Sequence, residues 1–257
     1  MNTRVAFALA AVLTCLPIVG TWAADPPAIP DKSIAVKKEL LFSDDFESPE
    51  PSKLWHRAVP TFTFVEGMLK GSQTRDMNIP AQNGRRAVSA HAAVHGLSVP
   101  TRDSVIECKM RFDGATIMDI EFDDRNETGT SIAHYGHLSR AQVHLDRVSI
   151  IDERDGTQNH AANALRRDPA TREEGNRIVA AHRTSFPLET PLEPGRWYAV
   201  VVETVGNAMR VTIDGKPVAY FESPGIGHPT KSQIEIGVSG KVGYFDDLKV
   251  WNAAPAR

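Results

Sequence analysis

Cysteine is nearly missing from this chain. It has two in 257 residues, and Cys15 lies in the N-terminal leader, so Cys108 stands alone. An exported chain with one thiol forms no internal disulfide, and its stability must come from burial of apolar side chains, Cys108 among them. An excess of basic charge is also missing. Lys and Arg total 29 against 32 Asp and Glu. Removing a leader that contains Arg4 leaves 29 − 1 = 28 bases against 32 acids, near −4, which excludes the electrostatic footprint of a nucleic-acid binder. No apolar stretch follows the one at Val5 to Val19, so no membrane span is expected. Internal repeats and low-complexity blocks are absent too. Tryptophan is scarce at four residues, and Trp55, Trp197 and Trp251 sit in strand-like contexts where burial is the default.

The N-terminus itself is informative. Arg4, the apolar run and small residues at Thr21, Ala23 and Ala24 read as a secretory signal peptide over 1–24, implying a secreted or periplasmic product. Residues 25–38 are Pro- and Lys-rich and read as a tether. A single domain over 39–252 follows, with a loose tail at 253–257, and a monomer is expected.

Strand signals dominate that domain. Residues 198–204, 209–213 and 218–221 are β-branched apolar runs separated by Gly206-Asn207 and Asp214-Gly215, residue types that tolerate the positive φ of tight hairpins. They predict a three-stranded meander, and a half-wet meander needs a second sheet over its apolar face. Residues 61–65 and 68–72 predict a hairpin around Glu66-Gly67, and 233–238 and 241–251 predict two more strands. Residues 152–195 form the longest break in the β pattern. Within it Asp168-Pro169 reads as the start of a helix that carries Glu173 and Glu174 in its first turn and runs towards His182. So long an excursion is suited to covering a site as a lid. The fold class expected is all-β: an antiparallel two-sheet jelly-roll β-sandwich with one short helix in a long loop excursion.

Three runs alternate cleanly. In 104–112 Ile106, Cys108, Met110 and Phe112 face one way, and Glu107, Lys109 and Arg111 the other. In 116–124 Met118, Ile120 and Phe122 oppose Asp119, Glu121 and Asp123. In 140–146 Ala141, Val143 and Leu145 oppose Arg140, Gln142 and His144. A three-residue hairpin loop at Asp113-Gly114-Ala115, with Gly114 left-handed, keeps the carboxylates out of the core. It sets Lys109 beside Asp119 and Glu107 opposite Glu121, where like charge raises the pKa of Glu121. With the three strands adjacent, one face presents carboxylates, guanidinium and amide groups, a set that suits the hydroxyls of a sugar. The candidate binding residues are Glu107, Lys109, Asp123, Arg140, Gln142 and His144, with Tyr135 and His137 from the preceding loop. Asp45 and Asp246, each one of an Asp-Asp pair near the first and last strands, could meet and hold a structural Ca²⁺ with backbone carbonyls; no other cofactor is expected.

Asp119-Ile120-Glu121-Phe122 resembles the acid–apolar–acid strand of family-16 glycoside hydrolases in the concanavalin A-like lectin and glucanase superfamily. The resemblance implies that Glu121 is the catalytic acid/base and Asp119 its helper, with Ile117 then in the nucleophile slot. Shifting by two makes Asp119, Glu121 and Asp123 the trio, but four residues of strand span about 13 Å, too far for two short Asp side chains to converge as a retaining pair requires. From Leu41 to Trp251 the chain also looks like secreted domains near the 3-keto-disaccharide hydrolase and laminin-G-like families, through LFSDDFES, FVEGMLKGS, ECKMRFDGATIMDIEFDD, GHLSRAQV and YFDDLKVW. That implies a concanavalin A-like jelly roll in a carbohydrate-handling lineage. The functional expectation is a secreted carbohydrate-binding domain. The alternatives are a glycoside hydrolase and a non-catalytic partner-binding domain of the envelope.

Overall fold

The computed structural model describes residues 27–48, 50–57, 61–82, 84–127 and 136–256. The leader and Tyr135 lie outside the described residues.

Among the described residues thirteen strands form one hydrogen-bonded network. In chain order they are β1 (Ala35–Asp44), β2 (Trp55–Arg57), β3 (Phe62–Val65), β4 (Met68–Ser72), β5 (Ala93–Leu97), β6 (Ser104–Asp123), β7 (His137–His144) and β8 (Arg147–Asp152). A π-helical turn (Glu153–Thr157) and helices α1 (His160–Arg167) and α2 (Arg172–Ala181) come next. The chain closes with β9 (Arg183–Pro187), β10 (Trp197–Val205), β11 (Ala208–Ile213), β12 (Lys216–Glu222) and β13 (Gln233–Pro255).

The 20-residue β6 and 23-residue β13 organise the molecule. They run antiparallel to each other from Gln233↔Asp123 to Asn252↔Ser104. The first half of β6 pairs with β10, which continues to β11 and β12, while the matching half of β13 pairs with β1. The second half of β6 pairs with β7, then β8 and β9, while its half of β13 pairs with β5, then β2. The hairpin β3–β4 joins β13 between these halves. The result is the antiparallel jelly-roll sandwich, with a back layer (β12-β11-β10-β6-β13-β1) and a cleft layer (β9-β8-β7-β6-β13-β5-β2).

Residues 104–124 are therefore not a hairpin. Gly114 does take a left-handed φ of +86°, and Gly240 on the partner strand takes +98°. The pairing register shifts there, so the two glycines mark paired bulges at which both strands bend from one layer into the other. A Cβ on Gly240 would lie 2.8 Å from the Gly114 carbonyl oxygen, an approach only glycine permits. Side-chain phase survives the bend: Ile106, Cys108 and Met110 enter the same core as Met118, Ile120 and Phe122. The expected break between 238 and 241 is likewise a bulge within β13. Strand pairing also reaches further than expected at both ends, since Ala35–Lys37 of the stretch read as a tether pair with Ala253–Pro255 of the stretch read as a tail.

The meander forms as the turns require, with Gly206, Asp214 and Gly215 at positive φ. In the 152–195 excursion, α2 begins after Thr171 rather than at Asp168-Pro169, and α1 precedes it, capped by Asn159 Oδ1 accepting from the Ala162 amide at 3.0 Å. No helix among the described residues is long and apolar enough to cross a membrane.

Candidate functional site

Asp119, Glu121 and Asp123 alternate with Met118, Ile120 and Phe122, so the core takes the apolar set and the acids point out of the cleft layer. Register then assigns their neighbours. Asp119 lies between Gln142 on β7 and Gly237 on β13, Glu121 between Arg140 and Glu235, and Asp123 between His137 and Gln233. Each acid thus has a cation or amide on one side at least, and Glu121 faces a second acid on the other.

One guanidinium serves three carboxylates. Arg140 Nη2 donates to Glu121 Oε1 at 2.5 Å, its Nε lies 2.8 Å from Glu153 Oε1, and its Nη1 lies 3.5 Å from Asp119 Oδ2. Glu153 arrives on the π-helical turn, whose cap Asp152 accepts from the Asp155 amide. The long excursion therefore supplies a side chain to the site. His137 Nδ1 lies 2.7 Å from Glu121 Oε1 and 3.1 Å from Asp123 Oδ1. The Gln233 amide donates to Asp123 Oδ2 at 3.2 Å and to Glu235 Oε1 at 2.9 Å, and its oxygen accepts from Arg125 Nε at 2.5 Å. That third contact fixes which way the amide faces.

Asp119, Glu121, His137, Arg140 and Glu235 line a cleft of about 450 Å³ together with Arg75, His91 and Val94. Their charge states diverge. Burial works against ionisation of Glu121, but Arg140 and His137 outweigh it and hold its carboxyl below the usual value. Burial, reinforced by the charges of Asp123 and Glu121, pushes Glu235 up to about 8. Burial and the Glu121 charge lift Asp123 to about 6. Burial also raises Asp119 and Glu153, against the pull of Arg140. Burial opposes a charge on His137, yet its two carboxylate partners carry it up to about 11. At neutral pH the cleft holds an ionised Glu121 beside a protonated Glu235, an arrangement that can accept a proton at one carboxyl and donate one at the other. Glu121, Asp123 and His137 also offer ligand atoms within 4.8 Å of one another, the geometry of a small metal site. Arg140 and the imidazolium already supply positive charge there, and a metal would have to displace the proton on Nδ1.

Of the residues singled out in the sequence, Asp119, Glu121, Asp123, His137, Arg140 and Gln142 come together. Glu107 and Lys109 do not. They lie on the back-layer half of β6, and fourteen residues of strand put Glu107 about 45 Å along the chain path from Glu121. Lys37 and the indole of Trp251 hold Glu107, and Lys109 pairs with Asp247 at 2.5 Å and Asp246 at 3.5 Å. Glu121 consequently lacks the expected like-charge partner, and its pKa moves down rather than up. His144 sits at the far end of β7 opposite Ile117, buried beside Arg147 and away from the acids, with its pKa lowered by burial and by Arg147. Pairing of Asp44 with Leu248 does bring the two Asp-Asp pairs into one neighbourhood. There Asp45 Oδ1 accepts from the Glu47 amide and Asp246 is turned to Lys109. Glu235, Gln233, Glu153, Arg75 and His91 were missed. The alternation Gln233-Ile234-Glu235-Ile236 carried a signal for the first two, but Glu153 and the Arg75 arm reach the cleft through loops that no periodicity describes.

The fold with this cleft is that of the concanavalin A-like jelly rolls. No family model matches the chain, and no curated protein matches it in sequence. Among solved structures it is similar to the laminarinase from Rhodothermus marinus (TM-score 0.54, 13% identity, 86% of this chain and 99% of that one). It is similar as well to SCLam, a non-specific endo-β-1,3(4)-glucanase from family GH16 (TM-score 0.52, 12% identity, 89% and 94%). A third is the endo-β-1,4-glucuronan lyase from the fungus Trichoderma reesei (TM-score 0.51, 11% identity, 83% and 96%). Likeness at such identity establishes the fold, and a fold shared by hydrolases and a lyase leaves activity to be argued from the site.

Proposed function

We propose that this chain is an exported carbohydrate-binding β-sandwich whose ligand lies in the cleft over β7, β6 and β13. One observation carries the reading: Asp119 and Glu121 on β6 and Glu235 on β13, each held in a fixed direction by Arg140, His137 or Gln233, line one cleft. Sugar hydroxyls both donate and accept, so an oriented array of ionised and protonated carboxyls with a guanidinium matches them without rearrangement. The solved structures of this fold named above include proteins that act on glucans and glucuronan, which agrees with the reading. The test is a glycan array and titration calorimetry on the mature protein, with and without EDTA. Saturable binding that Glu121→Gln weakens at least tenfold is expected. An array blank in both conditions would remove the proposal.

A second reading, hydrolysis of a glycosidic bond, is favoured by the split between ionised Glu121 and protonated Glu235. Here Glu235 rather than Glu121 is the general acid, because Glu121 gives up its proton too readily beside Arg140. The expected outcome is release of reducing ends that Glu235→Gln abolishes. Binding without any release would leave the first reading standing alone.

A further inference from the structure

The cleft has a floor and a side wall of different character. The wall is an arm, residues 73–92, tied across its base by Gln73 Nε2 donating to the His91 carbonyl at 3.1 Å and by Asn78 Oδ1 accepting from the Ala90 amide at 2.8 Å. Main-chain bridges pair Arg75 with His91, Ile79 with Val88 and Gln82 with Arg85. Residues directly opposite in an antiparallel bridge share a face, and Arg75 and His91 both line the cleft, with the charge of His91 felt at Glu121.

On the floor the positive charge is already committed. Arg140 is divided among Asp119, Glu121 and Glu153, and His137 between Glu121 and Asp123. The arm is different. Among the described residues no ion pair and no side-chain hydrogen bond engages the guanidinium of Arg75, or those of Arg85 and Arg86 further along. Asp76 is the single acid in this stretch, and it is not among the residues that line the cleft. A chain with more acids than bases thus places an uncommitted guanidinium in the lining of the cleft that holds Asp119, Glu121 and Glu235, and two more on the same arm.

We propose that the glycan this cleft takes is acidic, its ring carboxylates or sulfate esters facing Arg75 and the arm while its hydroxyls face Asp119, Glu121 and Glu235. Guanidinium pairs with either anion through two parallel N–H donors, which fixes the ring edge that turns to the wall. This inference rests on the carbohydrate-binding reading and names the class of sugar.

The test is calorimetric titration of the full protein with four probes: a glucuronate oligosaccharide, its carboxyl-reduced counterpart, a sulfated glucan oligosaccharide and the unsulfated glucan. Arg75→Gln is the diagnostic variant, with Arg85→Gln/Arg86→Gln as a second, and circular dichroism checks that both fold. The expected result is at least tenfold tighter binding of an anionic probe than of its neutral counterpart, with Arg75→Gln removing about tenfold for the anionic probe and nothing for the neutral one. Preference for the glucuronate identifies a carboxylate as the anion, and preference for the sulfated probe identifies a sulfate ester. Equal binding of anionic and neutral probes, or an Arg75→Gln effect equal on both, overturns the inference and leaves sugar binding intact. Failure of all four probes, in company with a blank array, overturns both.

Discussion

The two halves of β6 carry the same alternation and end up in opposite circumstances. On the back-layer half Glu107, Lys109 and Arg111 stay wet or half-wet. Lys109 meets Asp246 and Asp247 at the surface, and Arg111 stacks between Trp197 and Tyr244 at 4.9 and 4.2 Å. On the cleft half the equivalent Asp119, Glu121 and Asp123 are 6, 4 and 0% exposed, because β7, the π-helical turn and the arm close around them. Period-two alternation therefore assigns faces but not environments. Exposed ion pairs contribute little, whereas burial raises the pKa values of Asp119, Asp123, Glu153 and Glu235, and Glu121 is held below its usual value by Arg140 and His137.

Neutralising the central cation of each half should give the largest contrast. Arg140→Met removes the guanidinium shared by three buried carboxylates, leaving only His137 beside Glu121, and is expected to cost about 3–5 kcal/mol in urea unfolding. Lys109→Met should cost about 1 kcal/mol or less. Equal costs would erase the distinction between the halves. Removing one acid from each half comes next. Glu121→Gln should weaken glycan binding by tenfold or more, while Glu107→Gln, held between Lys37 and Trp251 on the other layer, should leave the isotherm unchanged. A subtler change sharpens the same contrast. The Cβ of Gly237→Ala would fall 1.9 Å from Asp119 Oδ1. It should displace that carboxylate, costing about 1–3 kcal/mol and some affinity, both readable in one set of melting and titration curves.

The last contrast is a pH dependence. The Glu235 carboxyl titrates near pH 8 in the folded chain against an ordinary 4.5. Between those values the folded state keeps a proton that the unfolded chain has released, so this residue makes stability fall as pH rises through the window. The melting temperature of the wild type should therefore drop relative to Glu235→Gln from pH 5 to pH 8. Parallel curves would show that Glu235 is not held protonated.

Much of this architecture was legible because the signals were local. Gly206-Asn207 and Asp214-Gly215 specify the meander turns, and alternation from Ile106 to Phe122 specifies which side chains enter the core. What misled was Gly114. A left-handed glycine after Asp113 fits a hairpin loop and a bulge equally well, and the choice depends on Gly240, more than a hundred residues away. With that choice went the pairing of Glu107 with Glu121. The register of β6 against β7 was recoverable from adjacent alternating runs, and it brought Asp119, Glu121, Asp123 and Arg140 together. Glu235 shared the alternating pattern but lay on a strand whose partner could not be read. Glu153 and Arg75 reach the cleft from irregular backbone, where sequence carries no phase.

The shared strands have a mechanical corollary. Because β6 and β13 lie side by side through both layers, neither layer owns a complete set of strands, and peeling one away would strip hydrogen bonds from the other. The floor that carries the acids is in effect the far end of the same beam that braces the meander. Melting followed at the cleft and at the back should trace a single curve, and damage at the Gly114–Gly240 crossing should be felt at both ends of the molecule.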